Sequence, residues 1–194
     1  MQKRKGLREQ KRQYVLDTVH QAAVALFTKH GYDTVTIEDI AQASGVSRST
    51  IFRHFATKEA IVLHDSFDPI LLDSFRSQPS SLTTIQALRN MFHEVVAKPT
   101  SDREKKLHQQ RYDLIRAVPQ LRTAMLQELA ETASVLTELI AERTERPAED
   151  ISVRTLASAL VGVAMGIVFG PVNDGDYLAQ FDQALKRLEA GLTI

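Results

Sequence analysis

Gly45 stands between two short amphipathic runs, "IEDIAQAS" and "SRSTIFRHF", and this arrangement restricts the fold more than any other feature of the chain. Thr36 precedes Asp39 by three residues, the spacing of a capping box that opens the first run as a helix. Ile37, Ile40 and Ala41 give that helix an apolar face. Glycine then lets the backbone turn sharply without a side-chain clash. Ser47 can cap a second short helix, in which Ile51 and Phe55 lie four apart on the inner face while Val46 fills the corner. Ala41 and Ala43 are small where two crossing helices must approach. The layout is that of a helix-turn-helix. Thr57 can cap a further helix that begins "KEAIVLHDSF".

With Ile51 and Phe55 turned inward, Arg48, Ser49 and Phe52 project from the opposite side, near the N-terminal half of the second helix. That end of a helix reaches base edges when it enters a major groove. Arg48 offers a donor fork suited to guanine, and Ser49 and Thr50 can donate or accept. Lys58 sits at the start of the following helix, where an ammonium can face phosphate. Arg53 and His54 either flank the DNA backbone or pack against the protein. The plainer alternative is a packed helix with a charged outer face.

Charge favours the first reading. Residues 1–60 carry ten Lys and Arg against six Asp and Glu, whereas the remainder carries 14 against 18, so a net charge of zero hides a basic head and an acidic body. The segment "QKRKGLREQKR" alone contains Lys3, Arg4, Lys5, Arg8, Lys11 and Arg12. On composition it is a solvated tail, and any contact it made with a polyanion would depend strongly on salt.

The rest of the chain reads as successive helices. Leu16, Val19, Ala23, Leu26 and Phe27 recur at spacings of three and four, with Gly31 as a left-handed cap. Pro69 should kink or shorten the fourth helix, and Pro119 should open a long one in its first turn. Two more helices follow, about residues 150–169 and 177–190. The expectation is an all-α protein of about nine helices, with a helix-turn-helix domain at 1–57 and a larger helical domain at 58–194.

No glycine-rich phosphate loop, nucleophile elbow or His-Glu-x-x-His signature appears, and there is no cysteine. The six histidines form no close ligand pair, so neither catalysis, a metal nor a cofactor is expected. The basic, polar start and short apolar runs predict a cytoplasmic protein without a membrane span. A helical dimeric adaptor that puts its basic head on an acidic protein is the competing class, but it leaves the caps, turn and Lys58 unexplained.

Residues 15–63 resemble the DNA-binding region of TetR-family transcriptional regulators. The likeness is carried by "AAVALFTKHGYDTVTIEDIAQASGVSRSTIFRHFATKEAIVL" as a whole. It implies a homodimer whose paired heads bind a partly palindromic double-stranded operator, and a C-terminal pocket whose small-molecule effector controls their spacing. By position, Thr36 resembles a phosphate-contacting cap, and Arg48, Ser49 and Thr50 open the recognition helix. Phe52 and His54 match aromatic contact positions, and Lys58 resembles a phosphate-contacting lysine. With Ser47 and Arg53, these form the candidate DNA-binding set. Ser49 stands where many members have glycine, and Phe52 where tyrosine is frequent, so the operator cannot be copied from relatives.

The likeness weakens after about residue 65, although residues 104–146 resemble a subclass common among actinobacterial regulators. A partly apolar effector is expected between the middle helices. Candidate contacts are His64, Asn90, His93, His108, Arg111, Tyr112 and Met125, with Phe67, Leu71, Met91, Phe92 and Leu129 as apolar lining. The alternative for the polar residues is an ordinary place at the surface or core edge, and for the apolar ones a place in the structural core. The last two helices are expected to form the dimer contact. Leu156, Leu160, Val163, Ile167 and Val168 would line one helix, Ala159, Gly162 and Gly166 would permit close approach, and Phe181, Leu185 and Leu188 would supply the other helix.

Overall fold

The structure is a computed structural model that describes residues 2–64, 68–95, 101–170 and 177–191. Those residues form ten α-helices and no strand: α1 (Gln2–His30), α2 (Ile37–Ser44), α3 (Arg48–His54), α4 (Lys58–Leu63), α5 (Asp68–Ser77), α6 (Thr84–Val95), α7 (Asp102–Ala117), α8 (Pro119–Thr144), α9 (Ile151–Phe169) and α10 (Tyr177–Glu189). The all-α expectation holds, with one helix more than the sequence suggests. The expected fourth helix is two, because His64 leaves helical geometry at φ −50 and ψ 126. Pro69 falls in the first turn of α5, where its missing N–H costs nothing. The basic N-terminal segment is not a separate tail; α1 runs unbroken from Gln2.

The chain divides into two compact units, Met1–Ser66 with Lys106–Met125, and Phe67–Lys105 with Leu126–Ile194. In the first, α1 packs against α2 and α4. Val19, Ala23, Val24 and Phe27 of α1 are buried, as the three-and-four spacing requires. Gly31 ends the helix at φ 88, and its N–H donates to the Phe27 carbonyl at 2.9 Å. Tyr32 then folds back on Phe27, with ring centroids 4.9 Å apart.

In the second unit, α6 packs against α5 and α10, and α10 against α9. Phe75, Leu88, Phe92, Ile140, Leu160 and Leu185 belong to its apolar core. Arg143 closes the α5–α6 loop by donating to the carbonyls of Gln78, Pro79 and Leu82 while its guanidinium lies 5.5 Å from the Phe75 ring. The α6–α10 contact carries an ion cluster. Asp182 accepts from Lys186 (2.7 Å), His93 (2.9 Å) and Arg89 (3.2 Å), and Arg89 also meets Glu189 at 2.9 Å. By length and composition α9 could cross a membrane, but Val153, Ala157 and Leu160 are spent in this core.

Candidate nucleic-acid interface

The turn that aims α3 is fixed at three points. At the first, the Thr36 hydroxyl accepts from the Asp39 N–H at 3.2 Å, and the Asp39 carboxylate takes the Thr36 N–H at 2.8 Å and its hydroxyl at 2.7 Å. Those bonds hold the Asp39 carboxyl below its ordinary range. At the second, Gly45 closes α2 in the left-handed region, φ 68 and ψ 15. A Cβ there would meet nothing within 4 Å, so backbone conformation rather than space selects glycine. At the third, Ser47 caps α3 by accepting from the Thr50 N–H at 3.2 Å, with the Ser49 and Thr50 hydroxyls at 3.1 and 2.9 Å from its oxygen. Ile40, Ile51 and Phe55 are buried behind the turn. Ala43, expected at the helix contact, is exposed.

What α3 leaves outside is polar and cationic. Arg48, Ser49, Phe52 and Arg53 are exposed, Phe52 at 47%, while Thr50 and His54 are half-buried. Arg48 is held from two sides. Its Nη1 lies 2.6 Å from Glu38 Oε1 on α2, and its guanidinium lies 5.3 Å from the Phe52 ring centroid. Glu38 is absent from the sequence-derived set; its place in the first turn of α2, ten residues before Arg48, was the available signal. Partial burial, then the charges of Arg53 and Arg12, lower the His54 pKa. A neutral imidazole offers one donor and one acceptor to whatever approaches.

Lys58 points elsewhere. Its ammonium donates to the carbonyls of Tyr32 (2.9 Å) and Val35 (3.2 Å) and lies 4.4 Å from the Tyr32 ring centroid. It thereby pins the α1–α2 loop that presents Thr36. The Tyr32 hydroxyl donates to Glu59 at 2.5 Å. Burial and that carboxylate push the phenol upward. Burial also raises the Glu59 carboxyl, but hydrogen bonds from Tyr32, its own backbone and Thr57 outweigh it and hold the group low. Two of the lysine's three N–H donors are thus engaged inside the head.

The effector candidates divide between the two units. His64, His108, Arg111, Tyr112 and Met125 fall in the first unit, Asn90 and His93 in the second. Arg111 is 5% exposed and donates to Val62 (2.9 Å) and Leu63 (2.7 Å), the last carbonyls of α4. It serves as a buried helix cap reaching across from α7. Tyr112 lies beside it, ring to guanidinium 5.6 Å. His64 stacks edge-on against Phe55 at 5.6 Å, with Asp17 at 3.5 Å. His108 is half-buried, Met125 buried, Asn90 exposed, and His93 is bonded to Asp182. Met91, Phe92 and Leu129 are buried and Leu71 is half-buried, whereas Phe67 lies outside the described residues. Among the described residues no three His, Asp or Glu side chains could hold a metal ion.

On the last two helices, Leu160, Val168 and Leu185 are buried, and Leu156, Phe181 and Leu188 pack against the protomer's own core. The exposed positions of α9 include Gly162 and Gly166, both expected at the contact, together with Ile151 (74% exposed), Ser152, Arg154, Thr155, Ser158 and Met165. A Cβ at Gly162 or Gly166 would meet nothing within 4 Å.

A capped helix-turn-helix on an all-helical chain defines a DNA-binding regulator. The family description "Bacterial regulatory proteins, tetR family" matches residues 20–64, and "MftR C-terminal domain" matches residues 82–193. The chain belongs to the TetR family of transcriptional regulators. It is similar to the Mycobacterium tuberculosis regulator MftR, whose name ties it to mycofactocin biosynthesis, at 28% identity over 76% of this chain and 74% of that one. It is also similar to the transcriptional regulator TcmR of Streptomyces glaucescens, at 30% identity over 71% and 64%. Among solved structures, SmeT in complex with triclosan shares the fold, with a TM-score of 0.59 and 18% identity over 93% of this chain and 94% of that one.

Proposed function

We propose that this TetR-family regulator is a cytoplasmic homodimeric repressor that binds a palindromic operator through residues 1–57 and is released by a small, partly apolar molecule bound within residues 58–194. The observation that carries the reading is the outer face of α3, where Arg48, Ser49, Phe52 and Arg53 are exposed while Ile51 is sealed inside. Arg48 and Ser49 read base edges; Thr50, Phe52 and His54 border them. Thr36, Ser47, Arg53 and Lys58 contact or position the phosphate backbone, Lys58 mainly by holding the loop that carries Thr36. Two heads occupy successive major grooves, roughly 34–36 Å apart.

Release acts through α4. Arg111 of α7 grips the C-terminal carbonyls of α4, and Lys58 ties the N-terminal end of α4 to the α1–α2 loop. An effector that favours a displaced α7 therefore favours a displaced head, and operator affinity falls by population shift. The SmeT complex with triclosan supports an effector with apolar surface. The test is selection of genomic fragments by the purified, ligand-stripped chain at near-physiological salt, followed by a reporter driven from the recovered promoter. Enrichment of a palindrome, with reporter output rising when the regulator is deleted, is the expected result. Recovery of no sequence would favour the protein-binding adaptor instead.

A further inference from the structure

The carboxylate of Glu38 sits on the face that the proposed function turns toward DNA, where a negative charge works against binding. Sequence-blind affinity comes from neutralising phosphates, and an acid beside the leading cation of α3 cancels part of that gain. Its geometry suggests a compensating use. Glu38 Oε1 takes one side of the Arg48 guanidinium at 2.6 Å, and the Phe52 ring lies 5.3 Å from its carbon. A planar five-donor fork held at one edge and backed by a ring has its remaining edge directed outward. Both partners are largely in water, 62% and 58% exposed, so the pair adds little to stability and its effect falls on what Arg48 does.

We infer that Glu38 is a specificity-determining positioning residue: it orients Arg48 for a base edge while lowering the attraction of that arginine for phosphate. This rests on the DNA-binding reading above. Discrimination built by penalising wrong contacts costs affinity and raises the ratio between right and wrong sites.

The experiment starts from a randomised duplex library selected with the full chain. Affinities of the wild type, Glu38→Gln, Glu38→Asp, Arg48→Ala and the Glu38→Gln/Arg48→Ala pair are then measured by fluorescence anisotropy. The probes are the recovered duplex, each of its single base-pair variants and a scrambled duplex, over a salt series. Glu38→Gln is expected to bind the scrambled duplex more tightly, with a salt slope steeper by about 1 per head. Discrimination should fall by about tenfold at the base pair that Arg48→Ala also relaxes. Glu38→Asp keeps the charge but shortens the reach; it should lose the same discrimination with the wild-type slope. In the Arg48→Ala background, Glu38→Gln should no longer alter the base-pair profile. A wild-type profile in both Glu38 variants would overturn the inference and leave DNA binding intact. A library that yields no enriched sequence would overturn both.

Discussion

Helices α3 and α9 each bury one side and leave the other uncovered, and the two uncovered sides differ in chemistry. The α3 side presents Arg48, Ser49 and Arg53 around an exposed Phe52, with hydrogen-bonding groups on short capped turns. The α9 side presents Ile151, Ser152, Arg154 and Thr155 in its first turns and only small or apolar residues beyond them, Ser158, Gly162, Met165 and Gly166. Both helices satisfy the rule that apolar residues face the core, so amphipathicity alone does not separate them. The outer chemistry does. Donors and cations fit a polyanion, whereas the small and apolar residues from Ser158 to Gly166 fit the close approach of another protein surface, which in the proposed homodimer is a second copy.

The sharpest way to break this comparison is to put a charge where the α9 stripe is most open. Gly162→Arg replaces a helix-weakening residue at an exposed position where an added Cβ meets nothing within 4 Å, so the fold should survive. Sedimentation velocity should show dimerisation weakened, with the dimer Kd raised by about a hundredfold, on the order of 3 kcal/mol. An unchanged dimer would move the contact elsewhere. Arg48→Ala should act on the other face, weakening the selected duplex by ~1–3 kcal/mol per half-site with little change for a scrambled one, by anisotropy. Equal losses on both duplexes would demote Arg48 to a phosphate contact.

Gly45→Ala tests whether the α3 face depends on the turn that aims it. At φ 68 an added Cβ is strained without touching anything, so thermal denaturation should register a cost of about 1–2 kcal/mol, with DNA affinity reduced and the dimer intact. The smallest effect concerns the α6–α10 contact of the second unit. Hydrogen bonding from Lys186 outweighs burial and, with Arg89 and His93, lowers the Asp182 pKa from 3.8 to about 2. Its folded-state pKa lies below the unfolded one. The resulting stabilisation is therefore fully present above about pH 4 and drains away as pH falls toward 2. Asp182→Asn should flatten that part of the acid-unfolding curve by roughly 1 kcal/mol, screening included. An identical curve would mean the cluster contributes nothing.

Whatever depended on residues within four positions was legible in the sequence. The caps at Thr36, Ser47 and Thr57 and the left-handed glycines 31 and 45 all stand where local spacing put them. What depended on packing was not. Lys58 reaches carbonyls 26 and 23 residues away, and Arg111 reaches carbonyls 49 and 48 away, which no spacing rule encodes. The break at His64 had a local signal, because Asp65 and Ser66 follow it and favour caps and turns over helix interiors, but the apolar run of α4 overrode it. In α9 nearly every side chain is apolar or small, so periodicity could not tell the core face from the open one. The apolar spacing predicts dimer contacts at Leu156 and Leu160, whereas Leu160 belongs to the protomer's core and Leu156 packs against it. The effector candidates rest on residue type, which is silent on the unit a side chain belongs to.

A footprint of the full chain on its selected duplex tests the central claim most directly. The account predicts two protected half-sites of a palindrome on one face of the DNA, about one helical turn apart, with Arg48→Ala abolishing protection and a scrambled duplex showing none. Uniform, salt-sensitive protection of any sequence by the ligand-stripped protein would contradict it.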